Sequence, residues 1–395
     1  MLNDLPENAN RASIDARRAI LAALAAQTAT AVVEQGIPTL TAFIKDALSL
    51  SAATAGLVVA AFAFGKIAGS YPAGRAVDAL GERTVLVVGG LATSALVLLA
   101  APLPLAGLVC LMIAAGSFAA STTPAGSKLV FGSSLAGRRG LAMGIRQTGV
   151  PLGGLLAAGL LPWIASSAGW RVSLAVAAAL AGVGALVVLA ITGTNLRADR
   201  AETRLTRVEG ERPRPWSDRD VILLTVWGCL IVSGQYALIS FLALDIHESG
   251  TLSLPETSLL VVVAQVGGIL GRLAWGVLSD HDPQQRRQPY LLGMNLIAIV
   301  VALAFAFGPA RQSFPALMVV SVFAGLTLIG WQGLWVTAVS ERAGPGRAGA
   351  TLGFALSFIG AASAASPPLY GLVADLTGGL RSIWLALALV LALAL

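Results

Sequence analysis

The chain has 395 residues, of which 56% are hydrophobic and 12% charged, and a net charge of +6; an average soluble domain carries about 25% charged residues. A water-soluble protein of this size has no interior large enough for so much apolar surface, so the solvent is read as lipid. Composition also excludes disulfide and zinc chemistry, because Cys110 and Cys229 both lie in apolar runs and His247 and His281 are isolated in polar loops.

Residues 1–18, MLNDLPENANRASIDARR, are polar and lack a signal-peptide core, and are read as a cytoplasmic tail. A hydrocarbon layer of about 30 Å takes roughly 20 apolar residues per helix. Cut at its charged and Pro/Gly punctuation, the sequence predicts helices over 19–44, 53–74, 84–103, 105–131, 139–164 and 170–192, then over 219–244, 255–278, 290–309, 314–340, 348–374 and 381–395. The hydrophilic stretch TGTNLRADRAETRLTRVEGERPRPWSDRD falls between the two sets and is read as a cytoplasmic linker, 193–218, joining six-helix bundles at 19–192 and 219–395. The last apolar run, IWLALALVLALAL, is too short to span fully and has no basic flank, which suggests a truncated C-terminus. Nineteen of the 26 basic residues fall on one side of this layout and four (Lys45, Arg171, Arg311, Arg381) on the other, the remaining three lying within helices. Positive loops stay inside, so both termini and the linker are expected in the cytoplasm, in a cell inner or plasma membrane. The same loops account for the basic excess, and nucleic-acid binding is not expected.

The halves echo each other. GRAVDALGER (74–83) follows the second helix and GVLSDHDPQQRR (276–287) the eighth, while GLAMG (140–144) in the fifth is answered by GATLG (349–353) in the eleventh. Gly74 permits close helix approach, Gly81 a tight reversal, and Asp78 can meet the positive end of a neighbouring helix. Gly74, Asp78, Gly81 and Arg83 match the signature loop of the major facilitator superfamily, which the chain resembles over essentially its whole length. The second copy keeps Gly276 and Asp280 but departs after them. The resemblance implies an all-α membrane protein with twelve helices in two pseudo-symmetric bundles, alternating access to a central site, and a conformational latch made by these six residues.

A charge in the hydrocarbon costs about 2.5–3.5 kcal/mol on insertion scales and faces a cavity or a partner. Glu34 shares a stripe of the first helix with Gln27, Thr30 and Thr41; lining an aqueous cavity there, it is the candidate proton carrier, the alternative being a carboxylate near the outer mouth or a hydrogen-bonded packing residue. Arg146, in GIRQTGVPLGG, is followed on its face by Gly149 and Gly153, with Gln147 beside it and Pro151 expected to bend the helix. Arg272 shares a face with Gln265, Gly268 and Gly276. Its surroundings, GRLAWGVLSD, resemble the monocarboxylate and oxalate/formate branches, where an arginine four residues before the motif glycine binds the substrate carboxylate; the cyanate permease-like branch is similar. Lys66 is read as snorkelling or ion-paired, with a substrate role as the alternative. Gln235, Tyr236, Trp331, Gln332 and Trp335 complete the candidate substrate site.

Two guanidinium groups suit a small organic anion, because each can bind a carboxylate through two parallel hydrogen bonds. The expected function is a proton-coupled secondary transporter for such a molecule, monomeric in the bilayer. It requires no metal or cofactor, and no nucleotide-binding glycine loop is present. The alternative is proton-driven efflux of drugs or metabolites, against which the fourth helix has Ala114 and Ala115 where many antiporters carry arginine. A non-transporting sensor would need a larger soluble segment, and an enzyme a cluster of His, Cys or paired acids.

Overall fold

The computed structural model describes residues 5–50, 52–134, 136–193, 214–249, 252, 254–284, 286–308, 313–344 and 346–395. It is helical throughout, with no strand among the described residues. Spans 1 to 3 are Leu5–Ala47, Ala52–Leu80 and Glu82–Ala100. Spans 4 to 6 are Leu105–Ser133, Arg139–Ala168 and Trp170–Thr192. The second series consists of span 7, Arg219–Glu248, span 8, Leu254–Asp280, span 9, Gln288–Phe307, span 10, Phe314–Ala343, span 11, Ala348–Thr377, and span 12, Arg381–Ala392. Eleven of these helices are long and apolar enough to cross a bilayer, and span 12 is a shorter apolar helix. Span 1 runs back to Leu5, through most of the stretch expected as a tail. Residues 1–4 and most of the expected linker (194–213) lie outside the described residues.

Three spans are interrupted where the sequence suggests continuous helices. Span 4 breaks at residues 120–121, because Pro124 offers no N–H to the carbonyl four residues before it. Span 5 breaks at Thr148, three residues before Pro151, and span 10 widens into a π-turn at Gly325–Ile329. π-turns recur at functional sites, since the extra residue re-aims the side chains beyond it.

Two compact units form. One comprises Met1–Leu135, Ile145–Asp218 and Val339–Ser357; the other comprises Ala136–Gly144, Arg219–Ala338 and Phe358–Leu395. Each unit therefore takes one short stretch from the opposite half of the sequence. The first has a core in which Val33, Ile37 and Leu40 of span 1 meet Leu161 of span 5 and Leu174 and Ala177 of span 6. Small residues allow closer contact between spans 2 and 4, where the Ser117 hydroxyl donates to the Gly65 carbonyl at 3.1 Å. In the second unit, the short span 12 is held by Trp384, whose ring lies 4.8 Å from that of Phe305 and whose Nε1 donates to Asp245 Oδ2 at 2.7 Å. Asn295 Nδ2 adds a bond to the Leu391 carbonyl at 2.7 Å.

Candidate functional site

Arg146 stands two residues before the interruption of span 5 and is fully enclosed, with 0% of its surface exposed. Its Nη2 donates to Gln27 Oε1 at 2.6 Å and to the Thr122 carbonyl at 3.0 Å, and its Nη1 donates to Gln147 Oε1 at 3.1 Å. Thr122, the first residue of the second segment of span 4, also shares a hydroxyl bond of 3.1 Å with Thr30 of span 1. Spans 1, 4 and 5 thus converge on one cation through four buried polar residues, Gln27, Thr30, Thr122 and Gln147. All three acceptors are uncharged, and Arg146 makes no ion pair among the described residues. Burying a cation without an anion is unfavourable by several kcal/mol, which a negatively charged ligand would offset.

Gly126 lies directly against this guanidinium, and a Cβ there would fall 2.8 Å from Arg146 Nε. Gly126→Ala is therefore expected to lower stability by about 1–3 kcal/mol through overpacking. Gly132→Ala on the same helix, where nothing lies within 4 Å of the added carbon, should leave stability unchanged or slightly raised. Melting temperatures of the two variants check the difference.

In the second unit Arg272 of span 8 is 2% exposed, and its Nη2 donates to Gln332 Oε1 at 3.2 Å. Gln332 follows the π-turn of span 10 closely, and the preceding Trp331 donates Nε1 to Gln235 Oε1 of span 7 at 2.9 Å. Trp331 packs edge-on against Trp227 at 6.1 Å and against Trp335 at 5.5 Å. Trp335 is buried and donates its single N–H to the Leu224 carbonyl at 2.7 Å, so its polar atom is occupied by helix packing. Gln265 is half-buried two turns before Arg272, and Tyr236 is exposed beside Gln235.

The polar stripe of span 1 divides. Gln27 and Thr30 are buried and bonded as described, and the Thr41 hydroxyl turns back to the Ile37 carbonyl at 3.1 Å. Glu34 remains accessible: its Oε1 accepts from Lys66 Nζ of span 2 at 2.6 Å, and the side chains are 30% and 31% exposed. The ion pair expected for Lys66 is present, and its partner is the proton-site candidate.

The repeated glycine motifs dock on each other crosswise. A Cβ at Gly74 or Gly349 would overlap the carbonyl oxygen of the other, and Gly140 and Gly276 meet in the same way. Asp78 accepts the N–H groups of Gly349 at 3.1 Å and Ala350 at 2.7 Å, at the start of span 11. Asp280 accepts those of Gly140 at 2.9 Å and Leu141 at 2.8 Å, at the start of span 5. Both carboxylates therefore sit at the positive end of a helix. Each also has a cation, Lys128 Nζ at 3.1 Å from Asp78 and Arg287 Nη1 at 2.9 Å from Asp280. Gly81 has φ 89° as it caps span 3, a conformation open mainly to glycine. Arg83, grouped with these residues by spacing, makes no hydrogen bond or ion pair among the described residues; Lys128 is the cation that meets Asp78. In the second copy Arg287 supplies the cation that the motif spacing did not identify.

Residues 20–367 match the family model of the Major Facilitator Superfamily. An uncharacterised MFS-type transporter of Mycobacterium tuberculosis (strain ATCC 25618 / H37Rv) is 29% identical over 342 residues, covering 85% of this chain and 74% of that protein. Monocarboxylate transporter 13 of Rattus norvegicus is 29% identical over 248 residues, covering 61% of this chain and 54% of that protein. Among solved structures, the E. coli fucose:proton symporter superposes with a TM-score of 0.70 at 19% identity, covering 95% of this chain and 96% of that one, which is a likeness of fold.

Proposed function

Given that the chain belongs to the major facilitator superfamily, and is a multi-pass membrane transporter and not an enzyme, we propose that it carries a small organic anion, a carboxylate, by alternating access driven by protons. The observation that supports this most directly is Arg146, a fully buried guanidinium whose acceptors are two amides and a backbone carbonyl. Such a group retains affinity for an anion and has the fork geometry that fits a carboxylate. Arg272 is the second anion-binding cation, held by Gln332 beside the π-turn of span 10. Interrupted helices next to binding residues are a recurrent feature of secondary transporters, because unwound backbone exposes polar groups to a ligand. Gln147, Gln235, Gln265, Tyr236, Trp331 and Trp335 complete the recognition surface in this proposal, and Glu34 carries the proton.

The pairs Asp78 with Gly349 and Ala350, and Asp280 with Gly140 and Leu141, act as releasable latches. The uneven distribution of basic residues puts both termini on the cytoplasmic side of the inner or plasma membrane. The transporter works as a monomer. The name of the rat relative, a monocarboxylate transporter, agrees with a carboxylate cargo.

The test is uptake of labelled carboxylates by the purified chain in proteoliposomes under an inward proton gradient. Arg272→Gln should lower uptake at least about 30-fold, the effect of truncating one member of a buried charge pair. Arg272→Lys should retain part of the activity, because charge survives while the fork is lost. Uptake unaltered in Arg272→Gln would remove this arginine from substrate recognition.

A further inference from the structure

Spans 2 and 11 meet along a seam of close contacts that extends beyond the Asp78 latch. Past the Gly74–Gly349 crossing, a Cβ on Gly353 would overlap the Ser70 carbonyl oxygen, and the Ser357 hydroxyl donates to the carbonyls of Ile67 and Gly353, each at 3.1 Å. Tyr71 follows Ser70 and Phe354 follows Gly353, so each side of the seam carries a ring beside this close approach. The ring of Trp216 reaches both, edge-on to Tyr71 at 6.1 Å and tilted against Phe354 at 6.4 Å. Trp216 belongs to neither span; it stands at the end of the segment that joins the two sets of helices. From this bridge we infer that the turn Pro215–Ser217 is an internal clamp: Trp216 fastens span 2 to span 11 and must leave one of the two rings for the seam to open. This role rests on the alternating-access reading above, in which the Asp78 latch releases, and adds to it a part of the linker.

The turn holds that ring in place from both sides. Pro215, whose φ is fixed by its own ring, opens the turn and is buried, and the Ser217 N–H donates to the Arg214 carbonyl at 2.8 Å. On the other side Asp218 Oδ1 accepts from Arg342 Nε at 3.2 Å and from its Nη2 at 3.1 Å. Arg342 is nearly half-exposed, so this ion pair fixes the position of the turn more than it adds stability. The Arg214 guanidinium lies 5.6 Å from the indole centroid, at cation–π distance. The indole itself is still 46% exposed. Its contacts can therefore be made and broken without opening a core, as a releasable fastening requires.

Clamp and latch grip the same two helices at separate points. Tyr71 precedes Asp78 by seven residues, about 10 Å along span 2, and Phe354 follows Ala350 by four, about 6 Å along span 11. One grip is made of rings and the other of charge. Each aromatic pair contributes roughly twofold to tenfold to an equilibrium. Opening loses one of the two pairs, so the clamp favours the closed seam by about that factor and leaves opening accessible.

The experiment follows opening of the seam and needs no substrate. Val77 is 0% exposed, and a Cβ on Gly349 across the seam would lie 3.0 Å from the Val77 Cβ, so a cysteine at this position is shielded while spans 2 and 11 stay together. The full chain carrying Cys110→Ser, Cys229→Ala and Val77→Cys is treated in proteoliposomes with N-ethylmaleimide, and the rate of alkylation scales with the open fraction. Trp216→Ala should raise that rate about two- to tenfold, and Phe354→Ala by a similar factor. The double variant should fall short of the product of the two, because both substitutions remove the same ring pair. Trp216→Phe, which keeps a ring on the turn, should give a smaller rise and carries the same test if Trp216→Ala does not fold. Asp78→Ala, which breaks the latch, is the reference and should also accelerate alkylation. Acceleration in Asp78→Ala with an unchanged rate in the Trp216 variants overturns the clamp and leaves the latch. A double variant that multiplies the single effects also overturns it, by making Trp216 an independent interfacial anchor. Absence of acceleration in Asp78→Ala overturns the latch reading itself, and the clamp with it.

Discussion

Arg146→Gln is expected to abolish transport while leaving the empty protein as stable as before, or more stable. The substitution removes a guanidinium that is 0% exposed and bonded only to neutral groups, so it removes a desolvation penalty of several kcal/mol. Against that, Gln27 and the Thr122 carbonyl lose a donor, at about 1–3 kcal/mol. The balance is near zero or favourable, and scanning fluorimetry of the detergent-solubilised protein measures it. Substrate recognition has no such compensation: losing a buried charged partner for a carboxylate costs about 2–5 kcal/mol, or roughly 30-fold to several thousandfold in kcat/KM. Arg146→Lys should fall between, since an ammonium keeps the charge but not the fork. A marked loss of thermal stability in Arg146→Gln would instead make this arginine a structural clamp among spans 1, 4 and 5. Stability and transport moving in opposite directions would mark a residue kept for its ligand.

The second large effect is expected at the two aspartates. Asp78→Ala leaves two helix-start N–H groups and Lys128 without their carboxylate, and Asp280→Ala does the same to Gly140, Leu141 and Arg287. Breaking a buried pair of this kind costs about 3–5 kcal/mol. A shift of about 3 kcal/mol in the preference for the docked arrangement is more than a hundredfold in population. Turnover should therefore fall by one to two orders of magnitude in each variant, with the protein still inserted and folded. Distances between spin labels on spans 2 and 11 should broaden in Asp78→Ala. The two clusters share no residue, so the double variant should shift the population by the sum of the two free energies. A double variant no worse than either single would show that both latches act through one event.

The helical plan is readable in the sequence because a bilayer demands about 20 apolar residues per crossing, and charges or Pro/Gly punctuate the runs at that interval. Spans 6 and 9 fall within about two residues of the positions so read. The sequence does not mark the breaks in spans 4 and 10, although Pro124 follows the first closely and Gly325 and Gly330 bracket the second, because membrane helices also carry Pro and Gly without interruption. The repeats GRAVDALGER and GLAMG are visible as repeats, but spacing cannot show that the glycines of one motif dock on those of the other. Spacing likewise grouped Arg83 with Asp78, whereas Lys128, 50 positions further along, makes the bond.

From the sequence alone follow the lipid environment, the two sets of six helices, the signature loop and the list of charges that must find partners. These depend on local composition and on a helical period, both of which are properties of contiguous residues. Only the tertiary structure decided which partner each charge obtained: Gln27, 119 positions away, for Arg146, and Lys66, 32 positions away, for Glu34. Those choices depend on how side chains from different helices meet, and that in turn depends on backbone breaks and glycine contacts whose geometry no single segment specifies.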